Sequence, residues 1–462
     1  MQAALDADLA GLAQVRAKAR AARRAFAALE GADQETLDRF VRAMALAGTK
    51  AAEELARLAV DETGYGVYEH KVYKNRYNTG FVAKWMLERR AVGVLWVDDD
   101  ARVTAVGSPM GVIAGIIPVT NPTSTALFKS LAAVKSGNAI VHAPHPRAAR
   151  CTLRAVEVMA EAAVAAGAPE GLISCLEEPT LPLTQELMRR EEIALVLATG
   201  GPGMVRAAYS SGKPTIAVGA GNVPAYVGAS VADPGEAAEM ILTSKSFDNG
   251  TACVAEQSVV VHDRAAPAFL AEFGARGAFW MDAGQQAALA AVIFDERGGL
   301  RPGSVGQGAA RLAELAGFAV PPATRVLACE LDQVGVRTPL SREILGPVLS
   351  VYRAPDAAAG LRRCREILAL DGEGHTVAVH ASDPEEIAPF GTLPAGRIVI
   401  NTPALFGGMG YSTDVDPSFQ LGTGTWSGSI CSDNVTPLHL INIKRIAHEV
   451  RPWRTVYDPV EL

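Results

Sequence analysis

The alternation of apolar and polar positions changes rhythm along this chain. Over residues 5–60 apolar side chains recur at helical spacing, as at Phe40, Met44 and Leu46, with charges between them, which predicts helices. Two β-branched runs follow, Val92-Gly93-Val94-Leu95-Trp96-Val97 and Arg102-Val103-Thr104-Ala105-Val106, separated by Asp98, Asp99 and Asp100. An Asp-rich turn between such runs predicts a two-stranded ribbon. A ribbon alone is marginal, so this one is expected to pack on another domain or subunit. From residue 111 the pattern becomes strand, helix, strand. Gly111-Val112-Ile113-Ala114-Gly115-Ile116-Ile117 is a continuous apolar run, as expected of a strand buried on both faces. A helix over 123–135, a strand at Ala139-Ile140-Val141 and a helix over 148–166 come next. Strands at Leu172-Ile173-Ser174-Cys175-Leu176 and Ile193-Ala194-Leu195-Val196-Leu197 complete the series. This order predicts a parallel sheet with helices on both faces.

A second alternation begins near residue 241. It includes Ser258-Val259-Val260-Val261, a helix over 285–292, Thr376-Val377-Ala378-Val379 and Arg397-Ile398-Val399-Ile400, and it predicts a second α/β domain. Residues 301–308 read as a glycine-rich loop, and residues 438–446 as a final strand or arm. Residues 103–128 carry no charge, a length that spans a bilayer. Gly107, Pro109, Pro118, Asn121 and Pro122 interrupt the stretch, so it reads as a buried strand, a turn and a helix start.

Length and composition narrow the class. The chain has 462 residues, enough for two large domains. Hydrophobic residues at 49% and charged residues at 20% are the balance of a folded soluble protein. A net charge of −7 argues against nucleic acid as a partner. The cysteines at 151, 175, 253, 329, 364 and 431 show no C-x-x-C spacing, as in a reducing compartment, and suggest no metal site. The start, Met1-Gln2-Ala3-Ala4, lacks the apolar core of a signal peptide.

Three segments carry candidate chemistry. In Ser246-Phe247-Asp248-Asn249-Gly250-Thr251-Ala252-Cys253-Val254-Ala255-Glu256-Gln257-Ser258 a cysteine follows a glycine turn and precedes a buried strand. That is rigid placement with an open approach, as a nucleophile needs. The turn Pro118-Val119-Thr120-Asn121-Pro122 lies at the carboxyl end of the central strand, where open α/β sheets bind ligands. Thr199-Gly200-Gly201-Pro202-Gly203, between a strand and a helix, allows backbone amides to approach a pyrophosphate.

The cysteine segment closely resembles the nucleophile loop of CoA-acylating aldehyde dehydrogenases. The resemblance covers nearly the whole chain. It includes Asp61-Glu62-Thr63-Gly64-Tyr65-Gly66-Val67-Tyr68-Glu69-His70-Lys71, the turn at Pro118, Ala143-Pro144-His145-Pro146-Arg147 and Ala208-Tyr209-Ser210-Ser211-Gly212-Lys213-Pro214. Gly374-His375-Thr376 and Leu438-His439-Leu440-Ile441-Asn442-Ile443 continue it. The resemblance implies an aldehyde dehydrogenase-like α/β fold of two Rossmann-like parallel-sheet domains with a β-hairpin oligomerisation arm. Residues 1–90 and 109–240 would form the cofactor-binding domain and 241–430 the catalytic domain. Residues 91–108 and 431–462 would form the arm and C-terminal segment.

It also implies roles. Cys253 is the expected nucleophile, and Asn121 or Thr120 the side chain that holds the oxyanion. Pro118, Pro144, His145, Thr199, Gly200, Gly201, Gly219, Gly221 and Glu343 are expected around the cofactor, Glu343 because Glu343-Ile344-Leu345-Gly346-Pro347 resembles a nicotinamide-ribose motif. His375 is expected in the active site, handling the coenzyme A thiol proton. Two departures sharpen the reading. Hydrolytic relatives use the Glu of a Glu-Leu-Gly-Gly-Lys motif to activate water, and Val218 stands there in Val218-Gly219-Ala220-Gly221-Asn222-Val223-Pro224. A valine cannot act as a general base, so a thioester would wait for coenzyme A. Where hydrolytic relatives place an acidic residue for the ribose, this chain has Ala143-Pro144-His145-Pro146 and then Arg147, which suits a phosphate on NADP or on coenzyme A. NAD is the family's usual cofactor.

The expected activity is reversible NAD(P)-dependent oxidation of a short-chain aldehyde to its acyl-CoA, with a hydrolytic dehydrogenase as the alternative. Acetaldehyde, propionaldehyde, succinate semialdehyde and sulfoacetaldehyde are all open as substrates. A homodimer or homotetramer built by exchanged arms is expected. The first helix runs on without a Gly- or Pro-rich linker, which favours free cytosol over a bacterial microcompartment. No alcohol dehydrogenase domain is expected.

Overall fold

The computed structural model describes residues 2–455. Met1 and residues 456–462, the end of the expected C-terminal segment, lie outside the described residues. The chain forms two parallel sheets, of five and seven strands, and one antiparallel sheet of three.

The five-stranded sheet runs Ile173–Cys175, Ala139–Pro144, Val112–Ile117, Ile193–Thr199, Thr215–Val218. Its two central strands are buried at every position, as their unbroken apolar runs require. The helix Pro122–Lys135 is buried along its whole length and packs between sheet and helical layer. The helices Gln34–Lys50 and Ala149–Ala165 cover it. Asp33 caps the first of these by accepting from Thr36 N at 2.9 Å. Phe40 and Met44 face this core, but Leu46 is 74% exposed. The buried stripe continues instead at Ala45 and Gly48, the positions that helical spacing from Phe40, Val41 and Met44 requires.

The seven-stranded sheet runs Ala278–Trp280, Val326–Glu330, Val348–Ala354, Glu256–His262, Val223–Val227, Gly374–His380, Ala395–Ile400. The change of sheet therefore comes before residue 223 and not near 241, because Val223–Val227 already pairs in parallel with Glu256–His262. The chain after residue 400 returns to the first core, where Leu405, Met409, Leu421, Cys431, Val435 and Leu440 are buried.

The expected ribbon is present as Gly93–Asp98 and Val103–Pro109, and Ile441–Ala447 adds a third antiparallel strand beside Val103–Pro109. Trp96, Val97, Ile443 and Ile446 are exposed on this arm. Among the described residues no helix is long and apolar enough to cross a membrane.

Candidate active site

A cavity of about 810 Å³ opens at the carboxyl ends of the five-stranded sheet and runs to the loop before the strand Glu256–His262. Cys253, Asn121, Thr120, Pro118, Pro144, His145, Thr199, Gly200, Gly201, Gly219 and Glu343 all line it. Residues expected in one site from six separate stretches of chain thus meet around one space.

The loop that presents Cys253 is tightly determined. Asp248 and Asn249 both adopt left-handed backbone, with φ of 51° and 52°. Such strain costs of order 1–3 kcal/mol per residue and persists only where neighbours fix it. Gly250 follows at φ 68°, and a Cβ there would lie 2.6 Å from the carbonyl oxygen of Gly346. Asp248 is fully buried and accepts from Val67 N at 2.7 Å, Lys71 Nζ at 3.1 Å, Lys74 Nζ at 2.6 Å and Thr251 Oγ1 at 2.8 Å. Burial alone would raise its carboxyl, but Lys74 and Lys71 outweigh that effect and hold it at about 2. Lys74 in turn is brought down to about 8 by burial, against the pull of Asp248.

Cys253 is half-buried and its Sγ lies 3.2 Å from His375 Nε2. Burial, and then the Glu343 carboxylate, push the thiol up to about 12, while Arg397 and Lys74 oppose them. His375 does not line the cavity; it stands behind the sulfur, fully buried, and burial with nearby Arg397 brings it down to about 3. The pair at rest is thus a thiol and a neutral imidazole. Thr376 Oγ1 accepts from Arg397 Nη1 at 3.5 Å and lies 3.1 Å from His375 Nδ1. The Thr376 hydroxyl can accept from Nδ1–H with its second lone pair, so it accommodates the tautomer in which Nε2 is the acceptor facing the sulfur, the one that proton transfer from Cys253 requires.

Glu343 is set from the other side. One oxygen accepts from Gly221 N at 2.9 Å. Burial raises its carboxyl to about 7 in spite of that bond and of Lys245. Lys245 Nζ donates to Ile344 O at 3.0 Å and to Gln257 Oε1 at 2.6 Å, bracing the backbone that carries Glu343. Gly221 does not line the cavity but packs beneath the nucleophile, where a Cβ would lie 2.1 Å from the carbonyl oxygen of Cys253. Val218 is buried and lines the cavity with no titratable atom.

Arg147 is exposed next to His145 and Pro146, which line the cavity. It does not line the cavity, and its Nη1 donates to Tyr65 Oη at 2.9 Å. That bond uses one of its five N–H donors. Conversely, Lys74, Lys71 and Asp248 were not expected. Lys74 and Asp248 are 174 residues apart, and no spacing rule links them. The only available signal was Asp248 and Lys71 inside matched segments; Lys74 lies outside them.

The profile of the aldehyde dehydrogenase family matches residues 2–288. The bifunctional aldehyde-alcohol dehydrogenase of Escherichia coli is 43% identical over 420 residues, which cover 90% of this chain and 47% of that protein. The chain thus spans about half the length of that relative. A crystal structure of an acetylating aldehyde dehydrogenase from Geobacillus thermoglucosidasius superposes with a TM-score of 0.94 at 42% identity, covering 96% of this chain and 98% of that one. A propionaldehyde dehydrogenase from Rhodopseudomonas palustris, solved with bound CoA and an acylated cysteine, superposes at 0.84 with 26% identity, covering 94% and 97%. Matched by this family's profile over more than half of its length and by these structures over nearly all of it, the chain belongs to the aldehyde dehydrogenase family, among its acylating members.

Proposed function

We propose that this chain oxidises a short-chain aldehyde to its acyl-CoA, reversibly, through a thioester on Cys253. The observation that carries the reading is the Cys253 Sγ–His375 Nε2 contact of 3.2 Å in a cavity where Val218 replaces the hydrolytic base. The acylated cysteine and bound CoA of the Rhodopseudomonas palustris enzyme support it. Hydrolysis to the free acid is favoured by no observation.

The residues divide the work as follows. The thiol proton of Cys253 passes to His375 Nε2 as Sγ bonds to the carbonyl carbon. The resulting oxyanion is held by the Cys253 backbone N–H and by Asn121 Nδ2, which has a proton beyond the one it gives to Thr251 O at 3.2 Å. Thr120 lines the same wall and is the second choice. A nicotinamide coenzyme, when bound, supplies the hydride acceptor. The residues present fit one: Gly200 and Gly201 offer side-chain-free backbone before the helix Pro202–Tyr209, and Pro118, Pro144, His145 and Thr199 wall the cleft. Glu343 keeps one oxygen without a partner among the described residues, suited to a ribose hydroxyl. No carboxylate stands at His145 or Pro146 to reject a ribose phosphate, so NAD and NADP both fit. Before the second half His375 gives up the first proton to solvent, the net proton of the oxidation; it then takes the proton of the coenzyme A thiol, the same donors hold the oxyanion again, and the Cys253 sulfur leaves with that second proton restored.

The exposed Trp96, Val97, Ile443 and Ile446 of the arm support a homodimer or homotetramer. Six unpaired cysteines suit the reducing cytosol. The test is reduced-cofactor formation from a panel of short aldehydes, with and without coenzyme A. Sustained turnover only with coenzyme A is expected. Equal turnover without it would replace this reading with the hydrolytic one.

A further inference from the structure

Lys74, on the helix Tyr68–Arg76, is a nearly fully buried cation that lines the cavity beside Cys253. A cation in such a place has two ordinary uses: to bind a charged substrate, or to hold a neighbour in position. Its hydrogen bonds separate them. Nζ donates to Asp248 Oδ2 at 2.6 Å, to Asn121 Oδ1 at 2.7 Å and to Thr251 Oγ1 at 3.3 Å. An ammonium has three hydrogens, and all three have acceptors. A substrate anion would have to displace one of them.

The bond to Asn121 has a directional consequence. Lysine donates and never accepts in its charged form, so the end of the Asn121 carboxamide that faces Lys74 must be the oxygen. The Nδ2 end is thereby turned toward Thr251 O and the cavity. Without that constraint only the 3.2 Å bond to Thr251 O opposes a half-turn of the carboxamide, which would present its oxygen, a repulsive group for an oxyanion. Lys74 is itself fixed by Asp248, whose anchors come from Val67, Lys71 and Thr251, and whose own N–H donates to His70 Nδ1 at 2.8 Å. The crowding extends to Gly66, where a Cβ would meet Asp248 Oδ1 at 2.0 Å. Two ammonium groups against one carboxylate also leave a net positive charge near the place where negative charge develops.

We propose that Lys74 is a positioning residue that locks the Asn121 carboxamide with its N–H toward the oxyanion, and that Asp248 holds Lys74 in that role. The inference rests on the reading of Asn121 as an oxyanion donor. It also implies that Lys74 does not select acidic aldehydes.

A double-mutant cycle tests both. Asn121→Ala is expected to lower kcat by about 10²–10³-fold, the usual effect of losing one oxyanion donor. Lys74→Met is expected to lower kcat by about 10–10²-fold, within that loss, with the KM for aldehyde changed less than about threefold. The double variant should be no slower than Asn121→Ala within about threefold, because Lys74 acts through the amide. Lys74→Arg, which also only donates, should recover part of the rate. Multiplying losses in the double variant, or wild-type kcat in Lys74→Met, would overturn the proposal. So would a collapse of activity toward a carboxylate-bearing aldehyde alone, which would make Lys74 a substrate contact. Wild-type turnover in Asn121→Ala would instead remove the oxyanion reading beneath it. If Lys74→Met fails to fold, the same cycle is run with Lys74→Gln. Its amide can donate or accept, so an effect that vanishes in the Asn121→Ala background supports the lock and one that persists defeats it.

Discussion

The two parallel sheets bring different material to the same cavity. The five-stranded sheet contributes its ends: Pro118, Pro144, Thr199, Gly200 and Gly201 line the space with backbone, rings and small side chains. The loops around the seven-stranded sheet contribute titratable groups, each with a fixed partner: Cys253 with His375 and Glu343 with Gly221. Apart from Asn121, at the end of its central strand, the five-stranded side recognises by shape. The other must keep reactive atoms within fractions of an ångström, and it does so with strained backbone and buried charge. Damage should therefore read out differently on the two sides.

The largest effect belongs to the sulfur. Cys253→Ala should lower turnover at least about 10⁴-fold, as loss of a covalent nucleophile does, while cofactor affinity from fluorescence titration changes less than about twofold. Next comes His375→Ala, with kcat down by about 10²–10³-fold. The wild-type pH profile adds a sign. His375 is held at about 3, so its neutral, proton-accepting form is present above that pH and is lost only as pH falls through it. Rates measured between pH 5 and 8 should show no limb that disappears in His375→Ala. Gly221→Val, on the crossing between the sheets, should cost about 10²-fold in kcat, because the new Cβ meets the Cys253 carbonyl and moves the nucleophile by about 1 Å. The smallest effect belongs to the five-stranded side. Gly201→Leu places its Cβ in open space, so the fold should hold and the KM for cofactor should rise about tenfold, with kcat little changed. If Gly201→Leu cut kcat and spared KM, the contrast between the sheets would be wrong.

Much of this architecture was legible in the sequence because the forces that make it are local. Unbroken apolar runs marked the central strands, the Asp98 turn marked the ribbon, and a glycine turn before a buried strand marked Cys253. The strand Val223–Val227 was not legible, because Pro224 lacks the N–H a central strand needs. The sheet absorbs it with a register shift at Val223 and Pro224. Arg147 stands exposed beside His145 and Pro146 at the cavity, with one N–H on Tyr65 Oη, a contact that no spacing in the sequence announced. The Lys74–Asp248 network was out of reach, since it is assembled across three elements and only tertiary contact reveals it.

Only residues 219–222 separate the last strand of the first sheet from Val223–Val227 of the second, and the backbone there runs against Cys253. At that point the chain has no slack. Any rocking of one sheet against the other, such as a ligand wedged in the cleft would impose, pulls on a tether that touches the nucleophile. A residue inserted there would have to be accommodated against the Cys253 carbonyl, so the length of this crossing is set by the position of the nucleophile.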